Sequence, residues 1–550
     1  MFSNILNNKK KFDVVVIGSG AAGLTAAILA HDQGAKVLIL ERTDKIGGTT
    51  AVSGGGIWIP NNHHMAEVDA NDSREEALSY CRGLTMGRAE DELIETFIDT
   101  APVMLRYLED HTPLRFTPLT TPDYHPEEPG GKLCGRSVEP APVEMATLGK
   151  WAEKLRPPSN MSFSLTLQEA FQTYQAFYRP WSVPQELVAE RMEKGLVTLG
   201  QALSAGLLRG VLDRGISIQL QSRARELIVR KGRITGVRVE GEQETGTDVL
   251  ASRAVILATA GFEWNQSLKS KFLTGTITAP NSPPFNEGDG LKMAMSVGAD
   301  LANMGEVWNY PSILIPGESY ASRPLSRGIK AERSAPHIIW VNARGRRFVN
   351  EAANYNSIGK VFSEMDTGSP AYCNQPAWAV FDQQYRSQYM VGTTMPEDPD
   401  PDWIPRADSL HELALKVGAD PDGLQETVDR WNSFVRDGRD RDFGRGESAF
   451  DRYQGDHKAP HPNLGTIKKP PFYALPIYPG ALGTKGGPRT NRQAQVVDVH
   501  GEPITGLYAA GNVAASITGP GYYGVGSTLG PIMTWGYIAG IAAATESQKN

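Results

Sequence analysis

The chain has 550 residues, of which 40% are hydrophobic and 21% charged, and its formal net charge is −7. Single hydrophobic cores stop growing well below this length, so we expect two or more domains in an ordinary globular protein. The acidic balance and the lack of a long basic run argue against a nucleic-acid partner.

The cysteines and the N-terminal residues indicate the cellular compartment in which the protein is expected. Cys81, Cys134 and Cys373 lie far apart and form no CxxC pair, which is typical of a reducing environment. The first residues lack the apolar core of a signal peptide, and no stretch reaches the roughly 20 apolar residues that span a bilayer. We therefore expect a cytoplasmic protein, and peripheral contact with a membrane stays open.

A strand–turn–helix–strand unit opens the chain. Residues 12–17 predict a short buried strand, residues 24–34 predict a helix that a glycine ends, and residues 35–41 predict a second buried strand. This is the order of a dinucleotide-binding βαβ unit. The N-terminus of such a helix offers free N–H groups and the positive end of a dipole to a phosphate.

The turn of this unit has the spacing G-x-G-x-x-G. Gly18 allows the tight turn, Gly20 lets the backbone approach a pyrophosphate, and Gly23 lets the helix pack on the strand. Glu41, at the end of the second strand, can accept hydrogen bonds from a ribose. A carboxylate there favours a 2′-hydroxyl over a 2′-phosphate, so the unit predicts FAD or NAD rather than NADP.

The next segment favours a flavin. Residues 47–60 read GGTTAVSGGGIWIP, where hydroxyls and glycines follow the βαβ unit directly. Glycine at this density lets a second extended segment pass close to a ligand. A nicotinamide has no obvious need for such a segment, whereas a tricyclic flavin lying across the domain does.

The same type of pattern returns near the C-terminus. Residues 216–260 predict two or three strands with a turn at Lys231–Gly232 and then a buried strand, and residues 504–516 predict a strand that reaches Gly511–Asn512. Residues 280–467 differ, with proline-rich joints and an apolar stripe at helical spacing that is typical of a core. We expect an α/β fold, with a Rossmann-like FAD-binding domain formed by residues 1–279 and 468–550 and an inserted α+β catalytic domain at residues 280–467.

Six segments resemble one family in order along almost the whole chain: GSGAAG, GGTTAVSGGGIWIP, LATAGFEWN, GDGLKMAMSVGA, GRRFVNEAANYNSIG and GYYGVGSTLGP. The chain resembles the FAD-dependent 3-ketosteroid dehydrogenases, which belong to the succinate dehydrogenase/fumarate reductase flavoprotein superfamily. It is most similar to the Δ1-dehydrogenases. The resemblance implies non-covalent FAD, a 3-oxosteroid substrate and an unidentified electron acceptor, either a quinone or a carrier.

The resemblance also implies catalytic roles for three tyrosines. Tyr355, in the segment NEAANY, corresponds to the base that takes the proton from C2 while flavin N5 takes the hydride from C1. Tyr124, in the segment PDYHP, corresponds to a tyrosine that supports proton relay. Tyr522 and the N–H of Gly526 correspond to the donors to the 3-oxo group, and we expect this oxyanion site and the base to lie on opposite sides of one substrate. Tyr523 falls where relatives often have proline, so we leave it off the catalytic set.

The motifs and the resemblance together assign a larger set to the cofactor. We expect these residues to bind FAD: Gly18, Ser19, Gly20, Ala22, Gly23, Glu41, Arg42, Gly48, Thr49, Thr50, Ser53, Gly55, Gly56, Ala224, Ala258, Gly261, Asp289, Gly511, Asn512, Ser527 and Leu529. Asp289 either contacts the ribitol or caps a helix. Asn512 stands where many wider relatives have an acidic residue, and an amide there can still bond the hydroxyls of the flavin.

Specific residues also bear on three other functions: reduction of a dicarboxylate, metal binding and ligand binding without catalysis. Where dicarboxylate reducers of the superfamily carry a histidine before a Met-Gly-Gly-like turn, this chain has GTKGG at 483–487, which disfavours reduction of a dicarboxylate. His63 and His64 are adjacent but need further ligands at suitable spacing, so we expect no metal. The alternatives that stay open are a superfamily enzyme with another regiochemistry or substrate, such as Δ4-(5α) desaturation or enoate reduction, and a flavin-fold protein that only binds.

Overall fold

The computed structural model describes residues 12–159, 164–240 and 246–547. The predicted βαβ unit is present, with strands Phe12–Ile17 and Val37–Leu40 flanking the helix Ala21–Asp32. In the described part of the chain, none of the helices combines the length and the apolar character that crossing a membrane requires.

An eight-stranded sheet, the flavin sheet, is built from both ends of the chain. Its core is parallel: Phe12–Ile17 pairs with Val37–Leu40 on one side and with Thr247–Leu257 on the other, and Thr247–Leu257 pairs in turn with Pro503–Ala509. The complete set is Phe12–Ile17, Val37–Leu40, Ser217–Gln219, Ala224–Arg230, Arg233–Val239, Thr247–Leu257, Gln495–Val497 and Pro503–Ala509. The predicted Rossmann-like fold with contributions from both ends is therefore confirmed.

Long helices cover this sheet. The helix Ala21–Asp32 packs along the C-terminal helix Leu529–Thr545, and the carbonyls of Ala22 and Ala26 approach Gly536 and Gly540 so closely that a Cβ would lie 2.5 and 2.4 Å away. The helices of twelve or more residues in the described part are Ala21–Asp32, Arg74–Thr85, Asp91–His111, Leu199–Asp213, Pro421–Asp437 and Leu529–Thr545. The close contact fixes the C-terminal helix, and with it the residues just before it, against the flavin sheet.

A second sheet lies in the middle of the sequence. The antiparallel strands Ile338–Asn342, Ala377–Asp382, Phe472–Ile477 and Arg406–Ala407 pair in that order, and the helices Leu410–Val417 and Pro421–Asp437 pack against them. The apolar stripe Leu424, Val428, Trp431 and Phe434 is buried there, so the predicted core helix is confirmed.

The remaining elements are short. Further helices are Gln185–Glu193, Gln266–Phe272, Asp289–Ser296, Ala331–Ser334, Tyr355–Lys360, Gln383–Arg386 and Ala449–Gln454. Further strands are Ile57–Trp58, Phe116–Pro118, Ser137–Pro140, Val143–Glu144, Leu196–Val197, Ala279–Pro280, Leu301–Ala302, Val307–Asn309, Ser312–Tyr320, Arg323–Gly328, Gly480–Thr484 and Gly487–Pro488.

The division into two domains remains a proposal, and the strand pairing helps to place its second boundary. Phe472–Ile477 lies beyond residue 468 but pairs along its whole length with Ala377–Asp382 of the middle sheet. We therefore propose that the inserted domain of residues 280–467 extends past this strand before the chain returns to the flavin sheet.

Candidate active site

The turn of the βαβ unit lines a cavity of about 100 Å³, the flavin cavity. Gly18 has a φ of +109°, and a Cβ there would lie 2.2 Å from the Ala258 carbonyl oxygen. A Cβ on Gly23 would lie 2.2 Å from the Gly18 carbonyl oxygen, so this glycine serves packing. At Gly20 the nearest atom to a Cβ is Thr50 Oγ1 at 3.8 Å, so the open side of that residue faces the cavity.

Most of the predicted cofactor residues line this cavity. Those on its wall are Gly18, Ser19, Gly20, Ala22, Glu41, Arg42, Gly48, Thr49, Thr50, Ala224, Ala258, Asp289, Gly511 and Asn512. Ser53, Gly55, Gly56 and Leu529 line an adjoining cavity instead. Thr259, which sequence reasoning missed, also lines the flavin cavity, and its buried hydroxyl has no hydrogen-bond partner within the described residues. This hydroxyl lies close to Gly290, where a Cβ would be 2.1 Å from Thr259 Oγ1. The open side of Gly20 at the N-terminus of the helix and the Glu41 carboxylate on the same wall fit the pyrophosphate and the ribose of a flavin nucleotide.

Three predicted residues lie off both cavity walls. Gly23 packs on the turn, as described above. Gly261 faces Thr484, where a Cβ would lie 2.2 Å from Oγ1. Ser527 Oγ accepts from the backbone N–H of Gly524 at 2.7 Å and stabilises its own turn. These three residues therefore support the cavity wall from behind, and the cofactor contacts predicted for them remain predictions.

Charged side chains close one end of the flavin cavity. Asp289 accepts from Arg42 at 3.2 Å and from Arg223 at 2.8 Å, and Glu287 pairs with both arginines. Asp289 begins its helix but makes no capping hydrogen bond, so the capping alternative is not observed. Glu41 accepts from the backbone N–H and hydroxyl of Ser19 at 3.2 and 2.6 Å, which holds its carboxylate beside the glycine turn.

The second glycine-rich segment touches the first. Thr50 Oγ1 accepts from the N–H of Ala21, at the first turn of the helix, at 3.0 Å. Gly55 has a φ of +72°, and a Cβ there would lie 2.3 Å from the backbone of Leu199. Residues 48–50 line the flavin cavity and residues 49–56, apart from Ala51, line the adjoining one. This position is consistent with the prediction that the segment passes close to the cofactor.

The adjoining cavity has a volume of about 260 Å³ and is lined mainly by apolar and aromatic residues; we call it the substrate cavity. Thr49, Thr50, Asn512 and Ile532 line both cavities, so the two meet at these residues. The substrate cavity is the place where a second molecule could reach a flavin ring.

The three predicted tyrosines meet in the wall of the substrate cavity. The hydroxyls of Tyr355 and Tyr522 lie 3.0 Å apart, and that of Tyr522 lies 3.2 Å from Thr528 Oγ1. The ring of Tyr124 stacks on Tyr522 with centroids 5.1 Å apart and meets the edge of Tyr355 at 5.4 Å. Residues from three distant parts of the sequence thus form one cluster.

The arrangement differs in one respect from the expectation. The roles implied a base and an oxyanion site on opposite sides of the substrate, whereas the Tyr355 and Tyr522 hydroxyls are direct neighbours. The two reacting positions, a carbonyl oxygen and the hydrogen on the adjacent α-carbon, are themselves close together. Two hydroxyls 3.0 Å apart can therefore face both positions from the same side.

Burial keeps these phenols neutral. It raises the pKa of Tyr355 well above the ordinary value of 10.0, and the neighbouring Tyr124 and Tyr522 raise this pKa further. Burial also raises the pKa of Tyr124 and of Tyr522, although for Tyr522 the hydrogen bonds with Thr528 and Tyr355 lower it in part. A neutral tyrosine accepts a proton only if it passes its own proton on.

Gly526 lies in the same wall with its N–H available. Its φ is +94°, and a Cβ would lie 2.4 Å from the Gly56 carbonyl oxygen, so only glycine fits. Within the described part of the chain, the Gly526 N–H donates no hydrogen bond. Tyr522 and Gly526 thus offer two donors in the wall of the substrate cavity.

Tyr523 is a core residue. It is fully buried, its ring lies 5.0 Å from that of Trp58, and it is absent from the cavity wall. Its carbonyl oxygen accepts from the N–H of Tyr124 at 2.9 Å and from the hydroxyl of Tyr80 at 2.6 Å. Omitting Tyr523 from the catalytic set agrees with this position.

Sequence reasoning missed a fourth tyrosine and a set of potential metal ligands. Tyr310 lines the substrate cavity, and its ring lies 4.6 Å from that of Tyr355; no motif around it signalled this. Glu109 lies 2.8 Å from His63 Nε2 and 3.0 Å from His64 Nε2, so the further ligand that His63 and His64 lacked in sequence comes from a distant helix. These contacts are hydrogen bonds in the structure.

The comparisons with known proteins identify the family of the chain. A family model described as "FAD binding domain" matches residues 13–529. The chain belongs to this family of flavoproteins. FAD is therefore its cofactor, and the protein is an FAD-dependent oxidoreductase.

Its relatives include enzymes for two kinds of cyclic ketone. The chain is 40% identical over 550 residues to a 4-oxocyclohexanecarboxylate 2-dehydrogenase of Sinomonas cyclohexanicum, covering 98% of this chain and 94% of that protein. It is 37% identical to a 3-oxosteroid 1-dehydrogenase of Mycobacterium tuberculosis, covering 98% and 99%. The crystal structure of 3-ketosteroid Δ1-dehydrogenase from Sterolibacterium denitrificans with 1,4-androstadiene-3,17-dione matches with a TM-score of 0.90 and 36% identity, covering 98% and 100%.

The glycines of the first turn give a test of the flavin cavity. Gly20→Leu should leave the fold intact, because a Cβ meets no atom closer than 3.8 Å, but its side chain would fill the cavity and prevent FAD binding. Gly18→Ala should instead lower the free energy of unfolding of the apoprotein by more than about 1 kcal/mol, because its φ and the Ala258 carbonyl oppose a side chain. Bound flavin absorbance and apoprotein melting measure the two effects, and FAD retention by Gly20→Leu would contradict the assignment.

Proposed function

We propose that the protein desaturates the C1–C2 bond of 3-oxosteroids, with Tyr355 accepting the C2 proton, Tyr124 beside it, and Tyr522 with the Gly526 N–H binding the 3-oxo oxygen. The observation that carries this proposal is the hydrogen bond between the Tyr355 and Tyr522 hydroxyls in a cavity that adjoins the flavin cavity. The 37% identical 3-oxosteroid 1-dehydrogenase supports the substrate class.

The neutral tyrosines suggest how the proton moves. As Tyr355 takes the proton from C2, it can pass its own hydroxyl proton to Tyr522, which lies 3.0 Å away. Tyr522 can at the same time donate its proton to the 3-oxo oxygen, on which negative charge develops. When the hydride leaves C1 and the carbonyl forms again, the oxygen returns this proton to Tyr522, which can pass one on to Thr528 Oγ1, 3.2 Å away, so that one proton leaves the pair per turnover. The pair thus avoids a buried phenolate, whose formation the raised pKa of Tyr355 opposes.

The cofactor supplies the remaining chemistry. When bound, FAD accepts the hydride that leaves C1. Among the described residues that line the flavin cavity there is no histidine or cysteine, which supports non-covalent binding. A quinone or a carrier protein that reoxidises the flavin completes the proposed cycle.

A second candidate substrate class is a monocyclic 4-oxo acid. The 40% identical relative bears the name of such an enzyme, and removal of hydrogen beside a ring ketone needs the same base and the same carbonyl donors. Arg327 and Lys330 line the substrate cavity and offer positive charge to an anionic group, which the carboxylate of Glu332 in the same wall opposes. Burial and the neighbouring Arg333 lower the pKa of Lys330 to about 7, so its charge adds to this attraction mainly below neutral pH.

Product identification tests both candidates. We expect anaerobic mixing with a 3-oxo-4-ene steroid to bleach the flavin absorbance and to yield the 1,4-diene-3-one. Formation of a 4-ene from a saturated 3-oxosteroid, with the 1,2-bond left intact, would contradict the proposed regiochemistry and favour Δ4-(5α) desaturation. Bleaching by 4-oxocyclohexanecarboxylate but not by steroids would favour the second class, and a purified protein that binds no flavin would support a binding role.

A further inference from the structure

Three successive backbone carbonyls directly before Tyr522 each accept a hydrogen bond from a lysine. Lys485 Nζ lies 3.1 Å from the carbonyl oxygen of Gly519 and 2.6 Å from that of Gly521. Lys360 Nζ lies 2.8 Å from the carbonyl oxygen of Pro520. Lys485 is the lysine of the GTKGG segment, which the sequence analysis used only to weigh dicarboxylate reduction, and neither lysine takes part in the reaction proposed above.

Lys485 is fully buried, at 0% exposure, and forms no ion pair with a carboxylate of the described residues. Its Nζ lies 4.1 Å from the centre of the Trp308 ring. Burial and the neighbouring Lys360 lower the pKa of Lys485 well below its usual range, and Glu306 raises this pKa in part. The two carbonyl contacts need only two N–H groups, which both the neutral amine and the ammonium can donate.

The contacts of Lys485 and Lys360 join the two reacting tyrosines. Lys360 ends the short helix that Tyr355 begins, and Asn356 of the same helix donates to the Pro520 carbonyl at 3.2 Å. Trp308, beneath Lys485 Nζ, meets the edge of the Tyr522 ring with centroids 5.1 Å apart. The element that carries Tyr355 and the segment that carries Tyr522 are thereby tied together.

Residues 519–521 are Gly-Pro-Gly, and Gly519 adopts a φ of +51°. Glycine loses more conformational freedom on ordering than any other residue, and this segment has no side chain apart from the proline ring to pack. Its own backbone supplies two hydrogen bonds, from the N–H groups of Gly519 and Gly521 to the Ser516 and Thr518 carbonyls at 3.3 and 2.9 Å. The lysine contacts add to these by holding the carbonyls, which face the other way along the peptide bonds.

We propose that Lys485 and Lys360 are positioning residues that hold the carbonyls of residues 519–521 and so place the Tyr522 hydroxyl against Tyr355 and the substrate carbonyl. This inference rests on the proposed function. It extends the site to two residues that touch neither FAD nor substrate in the arrangement described above.

The test uses the FAD-loaded enzyme with Lys485→Met, Lys485→Gln and Lys360→Met. We expect Lys485→Met to slow anaerobic flavin reduction by 3-oxosteroid by about 100-fold, because displacing a reacting group such as the Tyr522 hydroxyl by about 1 Å lowers a rate by roughly that factor. Lys485→Gln should recover part of the rate, because its amide still donates to backbone carbonyls. Lys269→Met is a matched control, since Lys269 is half-buried, donates to the Ile277 carbonyl at 2.9 Å and lies outside both cavity walls.

A second readout separates positioning from general support of the fold. Binding of a 1,4-diene-3-one should weaken in Lys485→Met and Lys360→Met, whereas binding of the 3-deoxy analogue, which has no carbonyl for Tyr522, should not change. Equal weakening of both ligands would overturn the inference, as would reduction rates within about 2-fold of wild type in both variants. A wild-type enzyme that 3-oxosteroid cannot reduce would instead refute the proposed function. If Lys485→Met does not load FAD, Lys360→Met provides both readouts.

Discussion

Replacement of Tyr355 by phenylalanine should abolish most of the flavin reduction by 3-oxosteroid while FAD stays bound. The ring keeps its contacts with Tyr310 and Tyr124, whose centroids lie 4.6 and 5.4 Å away, and only the hydroxyl is lost. A positioned base contributes about 10²- to 10⁴-fold to a rate, so the rate constant should fall by that factor. Stopped-flow absorbance under anaerobic conditions measures it.

Tyr389→Phe is the control for this variant. Tyr389 is also buried, and its hydroxyl donates to Asp456 at 2.7 Å, but it does not line the substrate cavity. Loss of that hydroxyl should change stability rather than flavin reduction. A Tyr355→Phe enzyme that reduces its flavin at nearly the wild-type rate would show that the proton leaves by another route.

The sequence was sufficient to predict those parts of the fold that depend on residues close to one another in the chain. Each glycine of the G-x-G-x-x-G turn has its own physical reason: Gly18 needs a positive φ, Gly23 needs to pack against a carbonyl, and Gly20 needs an open side. Each of these requirements arises within a few residues or between neighbouring strands. The βαβ unit and the flavin sheet could therefore be predicted from spacing and apolar pattern.

The sequence was insufficient where distant segments meet. Tyr310 stands in no motif, yet it lies beside Tyr355 because the strand Val307–Asn309 packs on the helix Tyr355–Lys360. Glu109 reaches His63 across 46 residues. Such contacts depend on how helices and sheets pack, and a single sequence does not specify this packing.

The strand Phe472–Ile477 illustrates a limit of another kind. Composition changes near residue 467, and this change suggested a boundary at 468. The strand is buried and apolar like those of the flavin sheet, so its residues alone do not reveal which sheet it joins. Its pairing with Ala377–Asp382 decides the matter in favour of the middle sheet.

The adjacent tyrosines Tyr522 and Tyr523 allow a direct test of the carbonyl site. Both are buried, but only Tyr522 lines the substrate cavity, where its hydroxyl lies 3.0 Å from that of Tyr355. Removal of one donor to a developing oxyanion costs about 10²- to 10³-fold, so Tyr522→Phe should slow flavin reduction by that factor and weaken the binding of 3-oxo ligands. The stacked Tyr124 ring should keep the phenylalanine in place.

Tyr523→Phe should leave the rate of flavin reduction close to that of the wild type. The Tyr523 hydroxyl makes one long contact, 3.4 Å to the Ile517 carbonyl, and the contacts with Tyr124 and Tyr80 use the Tyr523 backbone, which the substitution keeps. Flavin reduction rates and dissociation constants of a 1,4-diene-3-one for both variants decide the question. If Tyr523→Phe is the more damaging change, the donor assigned to the substrate carbonyl is the wrong tyrosine, and the proton route from Tyr355 through Tyr522 fails with it.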